Sequence, residues 1–279
     1  MLHMRLNSAF AAREAFRNWN RTMAKELYDA IGQGYTELRR PDSRIADQLW
    51  AALDDAKSVL NVGAGTGSYE PIDRSVVAVE PSVVMLAQRR PTAAVAVQAR
   101  AEALPFANGA FDAALAVLTI HHWADRARGL AECARVARDR VVLLTFDPAV
   151  DGFWLVRDYF PEIIAIDRAQ FPAMADYQAA FGFAARVVAT PLPIPHDCVD
   201  GFLGAFWARP AAYLNSAVRT GMSSFARVRT ERGLEQLRDD LASGAWERRY
   251  GHLLENDALD LGYRIIIAHL TSHRVTNDR

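Results

Sequence analysis

Three glycines at alternate positions, Gly63, Gly65 and Gly67, sit in the stretch Leu60-Asn61-Val62-Gly63-Ala64-Gly65-Thr66-Gly67, directly after an apolar run at 58–62. A second apolar run, 75–79, ends in Glu80. This spacing reads as a strand, a glycine turn, a short connection and a second strand with an acid at its tip. Glycines let a ligand approach the backbone, and a carboxylate at a strand end can accept from both hydroxyls of a ribose. The pattern therefore suits an adenosine-bearing cofactor. It departs from the dinucleotide fingerprint, because Ser68 stands where a third Gly or Ala belongs and no long helix follows to hold a pyrophosphate. Alternate glycines better fit a cofactor without phosphate, whose amino-acid tail lies against the turn.

A second group is His121-His122-Trp123, after the fourth apolar run. Either imidazole is able to take a proton from an N–H or O–H nucleophile, with His121 the first candidate base. The competing reading has His122 satisfying a loop carbonyl and Trp123 packed in the core. Asp147, at the end of the fifth run, either orients a substrate or caps the next turn. Further along, His196, Asp197, Trp207, Arg209, Tyr213 and Arg219 mix aromatic and polar groups as a pocket wall does, with Trp207 and His196 foremost. No metal site is expected: the two histidines are adjacent rather than spaced along one helix face, and Cys133 and Cys198 are far apart. Cys133 falls on the apolar side of the 124–137 helix as a packed thiol.

The elements that must carry these groups alternate between 58 and 147. Strands are expected at 58–62, 75–80, 93–98, 113–118 and 140–146, with helices at 82–90 and 124–137. Near-continuous apolar strands between amphipathic helices imply a parallel sheet covered on both faces. The link from Gly67 to the second strand is too short for a full crossover helix, so a helix of about one turn, stopped by Pro71, is expected. Before this region, 8–31 reads as helical, and Asp42 or Ser43 caps a helix running to Leu53. After it, helices are expected at 151–160, 166–181, 197–208, 210–218 and 230–242, with strands at 185–192 and 263–269.

This gives an α/β fold: a Rossmann-like, doubly wound, mostly parallel sheet with an inserted helical lid near the C-terminus. Its parts are an N-terminal segment over residues 1–44, a core over 45–195, a lid over 196–260 and a last strand and tail over 261–279. With 279 residues, 51% of them hydrophobic, the chain is long enough for one large core. Its 32 basic and 33 acidic residues balance, which disfavours a nucleic-acid partner or an anionic membrane surface. No stretch approaches a membrane span and the first thirty residues carry no signal-peptide core, so a cytoplasmic protein with a small-molecule substrate is expected. The sequence does not fix an oligomeric state.

The segments 60–67 and 77–81, Ala101-Glu102-Ala103-Leu104-Pro105-Phe106, Phe111-Asp112 and Ile120-His121-His122-Trp123 resemble class I S-adenosylmethionine-dependent methyltransferases. They are closest in pattern to the ubiquinone/menaquinone-type small-molecule branch. Tyr28-Asp29-Ala30-Ile31-Gly32 with Tyr35, Arg39-Arg40-Pro41-Asp42 and Pro195-His196-Asp197 resemble a narrower subgroup often assigned to natural-product pathways. The resemblance implies S-adenosyl-L-methionine as cofactor, S-adenosyl-L-homocysteine as product, and in-line methyl transfer to an N, O or C atom of a small acceptor.

It also implies roles. Gly63, Ala64, Gly65, Thr66 and Gly67 would lie against the methionine part, Glu80 would hold the ribose, and Pro81 and Met85 would line the adenine. Ala101 would offer a backbone N–H to the ring with Glu102 near its amine, although Arg100 stands where many relatives carry an acid. Leu118 would present a carbonyl to the ammonium, and Tyr28, Tyr35 and Arg39 would close over the carboxylate, with a surface ion pair the competing role for Arg39. His122, Trp123, Asp147, His196 and Trp207 would face the substrate. Three other readings stay open: a catalytically silent cofactor-binding protein, a thiophilic acceptor such as trivalent arsenic, and a nicotinamide-dependent oxidoreductase. Ser68, the short connection and the lack of a Tyr-x-x-x-Lys pair weigh against the last.

Overall fold

A computed structural model describes residues 39–182 and 185–271. Tyr28, Tyr35 and the expected helix at 8–31 lie outside the described residues. The strands are β1 (Ser58–Val62), β2 (Ser75–Val79), β3 (Val95–Val97), β4 (Phe111–Val117), β5 (Ala137–Phe146), β6 (Ala185–Pro191), β7 (Ile194–Pro195), β8 (Ala258–Leu259) and β9 (Tyr263–Leu270). Seven of them form one sheet in the order β3-β2-β1-β4-β5-β9-β6, while β7 and β8 pair separately. Strands β1 to β5 run parallel, and β9 runs antiparallel to both β5 and β6. The chain is thus an α/β protein with a Rossmann-like, mostly parallel sheet.

The helices are α1 (Ser43–Ala52), α2 (Val83–Ala87), α3 (Arg126–Val136), α4 (Glu162–Gln170), α5 (Met174–Phe181), α6 (Ser216–Thr220), α7 (Glu231–Ala242) and α8 (Ala245–Tyr250). Alternation along the central strands explains how the sheet is sealed. On β4, Ala113 and Leu115 face α1 residues Ile45 and Leu49, while Ala114 and Ala116 face Leu130 and Cys133 of α3. Both faces are dry, as continuous apolar strands require. The segment between β6 and β9 joins the α1 face, where Trp154, Trp207, Tyr213 and Trp246 pack in one aromatic cluster.

Strand order reverses between β1 and β4, and in open α/β sheets that switch point opens a crevice at the carboxyl ends of the strands. Asp112 braces the opposite end. It accepts from Lys57 N, Ser58 N and Ser58 Oγ, and pairs with Arg138 at 2.6 Å.

Several expectations need correction. No helix forms between β1 and β2. Gly63, Gly65, Gly67 and Tyr69 have φ of 68°, 53°, 95° and 63°, and left-handed residues cannot propagate a right-handed helix. The helix expected at 166–181 is two helices, α4 and α5, separated at Phe171-Pro172 because proline disfavours helical backbone at the residue before it. The stretch 197–208 holds only a short 3-10 turn, Leu203–Phe206, and 151–160 only a wide turn, Leu155–Tyr159. Helix α8 and the β7–β8 pair carried no signal strong enough to be expected.

Burial opposes ionisation of Asp112, but Arg138 and the Ser58 donors outweigh it and hold its carboxyl well below the usual range. A depressed folded pKa adds stability above the ordinary carboxylate range and loses it as pH falls through the folded value. Asp112→Ala is expected to cost about 2 kcal/mol in urea unfolding at neutral pH, with the gap to wild type narrowing in strong acid.

Candidate active site

A cavity of about 530 Å³ lies at the carboxyl ends of β1 to β4. Its walls come from the turn after β1, the β2–α2 link around Glu80, the loop 98–102 and the loop after β4. A smaller cavity of about 90 Å³ adjoins it, walled by His121, Phe146, Asp167, Phe171, Phe202 and Tyr263 among others. Arg39, Leu118 and His122 line both.

Glu80 organises the larger cavity. It is 7% exposed, and its two oxygens accept from Gly65 N at 2.8 Å and Ser82 N at 2.9 Å. Burial raises its pKa, against the opposing pull of the Ser82 and Gly65 amides and the Arg89 charge. Ser82 in turn caps α2 by accepting from Met85 N. Gly63 is needed for packing as well as for its positive φ, since a Cβ there would collide with the Thr119 side chain. A Cβ on Gly65 would find only Met85 Cε, at 3.5 Å, so the backbone there borders the cavity directly.

Behind the turn, Glu70 and Arg89 form a buried ion pair at 2.6 Å, and Arg89 also donates to Gly65 O. Glu70 further accepts from Asn61 Nδ2 and Ala94 N. This network occupies the place of the absent crossover helix. Tyr69, 2% exposed, donates to Asp200 at 2.7 Å, and Arg39 Nε donates to the other oxygen of Asp200 at 2.8 Å. The insertion is therefore tied to the glycine turn and to Arg39 through one buried carboxylate. Leu118 has φ of 48°, an uncommon backbone state for a side chain of its size, right at the boundary of the two cavities.

Of the site residues expected from sequence, Arg39, Gly63, Ala64, Gly65, Thr66, Glu80, Pro81, Met85, Ala101, Glu102, Leu118, His122 and Trp123 line the larger cavity. Gly67 does not; a Cβ there would approach Glu70, Ala93 and Arg89 behind the turn. Glu102 also accepts from Ala124 N and Asp125 N, which anchors the loop after β4. Trp123 packs over Gly129 of α3 while bordering the cavity. His121 lines the smaller cavity, its ring tilted against those of His122 and Phe171 with centroids 3.7 and 4.6 Å away.

Three expected substrate contacts lie elsewhere. Trp207 is fully buried, its Nε1 donates to Ile194 O, and its own carbonyl accepts from Trp154 Nε1. It is core because its indole N–H finds its partner within the insertion. His196 is exposed beside Asp257 O, on the β7–β8 edge. Asp147 accepts from Ala149 N and so caps the turn after β5. The sequence reading missed Asn61, Tyr69, Thr119, Asp167 and Asp200. Asp167 carried a signal: it stands four residues after Ile163, on the same face of α4 as that buried residue.

Comparison with known proteins gives this geometry its family. A methyltransferase-domain family matches residues 60–145. The ubiquinone/menaquinone biosynthesis C-methyltransferase UbiE of Geotalea uraniireducens is 30% identical over 180 residues, 55% of this chain and 77% of that protein. The chain belongs to the class I S-adenosylmethionine-dependent methyltransferases. The crystal structure of a candidate methyltransferase from an antibiotic biosynthesis pathway of Anabaena variabilis superposes with a TM-score of 0.77 at 35% identity, over 84% of this chain and 99% of that one. An uncharacterized protein of Methanocaldococcus jannaschii is 29% identical over 140 residues, and this methyltransferase spans 55% of it, about half its length.

The cofactor of the methyltransferase is S-adenosylmethionine. The residues present fit it: the larger cavity is of small-molecule size, its glycine backbone borders open space, and a buried carboxylate stands at the β2 tip. Among the described residues no cluster of His, Cys, Asp or Glu is placed to hold a metal ion, and no helix is long and apolar enough to cross a membrane.

Burial, then the neighbouring imidazole and arginine charges, push His121 well below its usual pKa; burial and arginine charge push His122 down to about 3. Both rings are then neutral at physiological pH. Their carbon-bound proton resonances are expected to stay flat between about pH 5 and 8. A titration midpoint inside that range, seen by NMR, would contradict the burial argument.

Proposed function

We propose that the methyltransferase transfers a methyl group from S-adenosylmethionine in the larger cavity to a small-molecule acceptor in the smaller one. One observation carries this reading: Arg39, Leu118 and His122 form a wall common to both cavities. A donor filling the first therefore borders the space that receives the acceptor. The smaller cavity also supports turnover over silent binding, because among the described residues a cavity lies beside the donor site and Trp207 does not line it.

In this reading Glu80 holds the ribose hydroxyls, Gly63 and Gly65 admit the methionine part, and Met85, Pro81 and Ala101 border the adenine. Leu118, in its left-handed conformation, faces the donor's amino-acid end. Arg39, fixed by Asp200, closes the shared wall. When bound, the cofactor supplies an electrophilic sulfonium methyl, so the protein's own task is alignment and exclusion of water. Positioning of this kind supplies on the order of 7–11 kcal/mol in favourable intramolecular reactions. The mixed aromatic lining of the smaller cavity supports an organic acceptor, and the Anabaena relative's pathway supports a natural product. Residues 45–195 with the strand β9 act as the donor-binding core, residues 196–260 close the acceptor side, and Arg39 completes the closure ahead of α1.

Calorimetry tests the donor half of this reading. S-adenosylhomocysteine is expected to bind the wild-type chain at one site. Glu80→Gln, which keeps an oxygen for one amide but loses the charge, is expected to bind it roughly 10- to 100-fold more weakly, the cost of leaving buried hydroxyls poorly paired. Unchanged affinity in a folded variant would place the ribose elsewhere.

A further inference from the structure

Helix α4 turns Ile163 into the core, and Asp167 follows one turn later on the same stripe. A carboxylate one turn along from a core residue on an amphipathic helix is unusual, because positions on that face normally carry apolar side chains. Asp167 is half-buried and lines the smaller cavity. Among the described residues no hydrogen bond or ion pair reaches its carboxylate, whereas the buried acids Asp42, Glu80 and Asp200 are each held by several donors. Its surroundings combine aromatic rings, among them Phe146, Phe171 and Tyr263, with the shared wall that separates it from the donor cavity.

We propose that Asp167 is the general base of the smaller cavity, and that the acceptor it serves is a hydroxyaromatic or enolic molecule that presents its O–H to this carboxylate. The inference rests on the methyl-transfer reading above and names the acceptor class for the same site. The aromatic walls take the planar body of such an acceptor. The charged groups around Asp167 select the proton. Arg227, on the turn after α6, acts on it electrostatically, as does Tyr263 from β9; Arg39, ahead of α1, and His121 and His122, after β4, share the cavity. The two imidazoles are held neutral and weakly basic. Burial, partly offset by Arg227, raises the Asp167 carboxyl to about 7, where a base both ionises and accepts a proton near neutral pH.

The step balances without any further reactant. As the acceptor's oxygen, or its activated ring or enol carbon, forms a bond to the methyl carbon, the methyl–sulfur bond breaks and its electron pair stays on sulfur. The acceptor's proton moves to the Asp167 carboxylate and from there to water.

The test uses the full chain with phenol as probe acceptor and radiolabelled S-adenosylmethionine, alongside calorimetry with S-adenosylhomocysteine. Wild-type kcat/KM for phenol is expected to rise with pH through about 7. Asp167→Asn is expected to bind S-adenosylhomocysteine within twofold of wild type. It loses methyl transfer by on the order of 10²–10⁴-fold and loses the pH limb, and Asp167→Glu recovers part of both. A raised folded pKa means that the native state holds the extra proton, so wild-type stability falls as pH rises from the ordinary carboxylate range through the folded value. Asp167→Asn therefore melts higher than wild type at about pH 8 and level with it at about pH 4.

Equal melting temperatures at both values, an Asn variant with the wild-type rate or pH limb, or a chain that binds S-adenosylhomocysteine yet neither binds nor methylates phenol each overturn the assignment of Asp167. Failure to bind S-adenosylhomocysteine at all overturns the methyl-transfer reading instead.

Discussion

One buried carboxylate, Glu80, holds the geometry on which the site depends. One of its oxygens takes the Gly65 amide and the other takes the Ser82 amide, so the left-handed turn after β1 and the start of α2 are fixed to the tip of β2. A buried charge without such partners would be expensive, and a turn with positive φ angles at alternate residues would not keep its shape unaided. Each solves the other's problem: the turn gives the carboxylate donors, and the carboxylate orders the turn. What remains of its hydrogen-bonding capacity faces the larger cavity.

Around this centre, buried ion pairs do the work that a crossover helix does in longer connections. Glu70 and Arg89 stand behind the turn, with Arg89 also reaching Gly65 O. Asp200 gathers Tyr69 and Arg39, which brings the insertion between β6 and β9 up to the same turn. Buried pairs of this kind add little net stability because desolvation offsets their attraction, but breaking one partner is costly. Their effect here is geometric. Asp200 holds Arg39 at the junction where the larger and smaller cavities share a wall.

The parts of this design fixed by local chemistry were legible in the sequence. Alternate glycines, a strand-terminal Glu80 and near-continuous apolar runs describe the sheet from β1 to β5 and most of the larger cavity's lining. The parts fixed by long-range partners were not. Trp207 has the composition of a pocket residue, but its indole N–H is satisfied by Ile194 O within the insertion, a contact no spacing rule reveals. Asp200 reads as an ordinary loop acid until Tyr69, 131 positions earlier in the chain, meets it. The crossover helix is missing for a different reason: Pro71 reads as the stop of a short helix, but the positive φ angles before it never let one begin. Asp167 was readable in principle, as an acid on an apolar stripe, but its importance appears only when α4 is seen to border the second cavity.

The most direct measurement is a crystal structure of the methyltransferase with S-adenosylhomocysteine bound. The account predicts ribose hydroxyls on the Glu80 carboxylate, the amino-acid end along Gly63 to Gly65, and a sulfur atom directed across Leu118 and His122 into the smaller cavity. A sulfur atom facing solvent or closed off from that cavity, with the ribose away from Glu80, would contradict it.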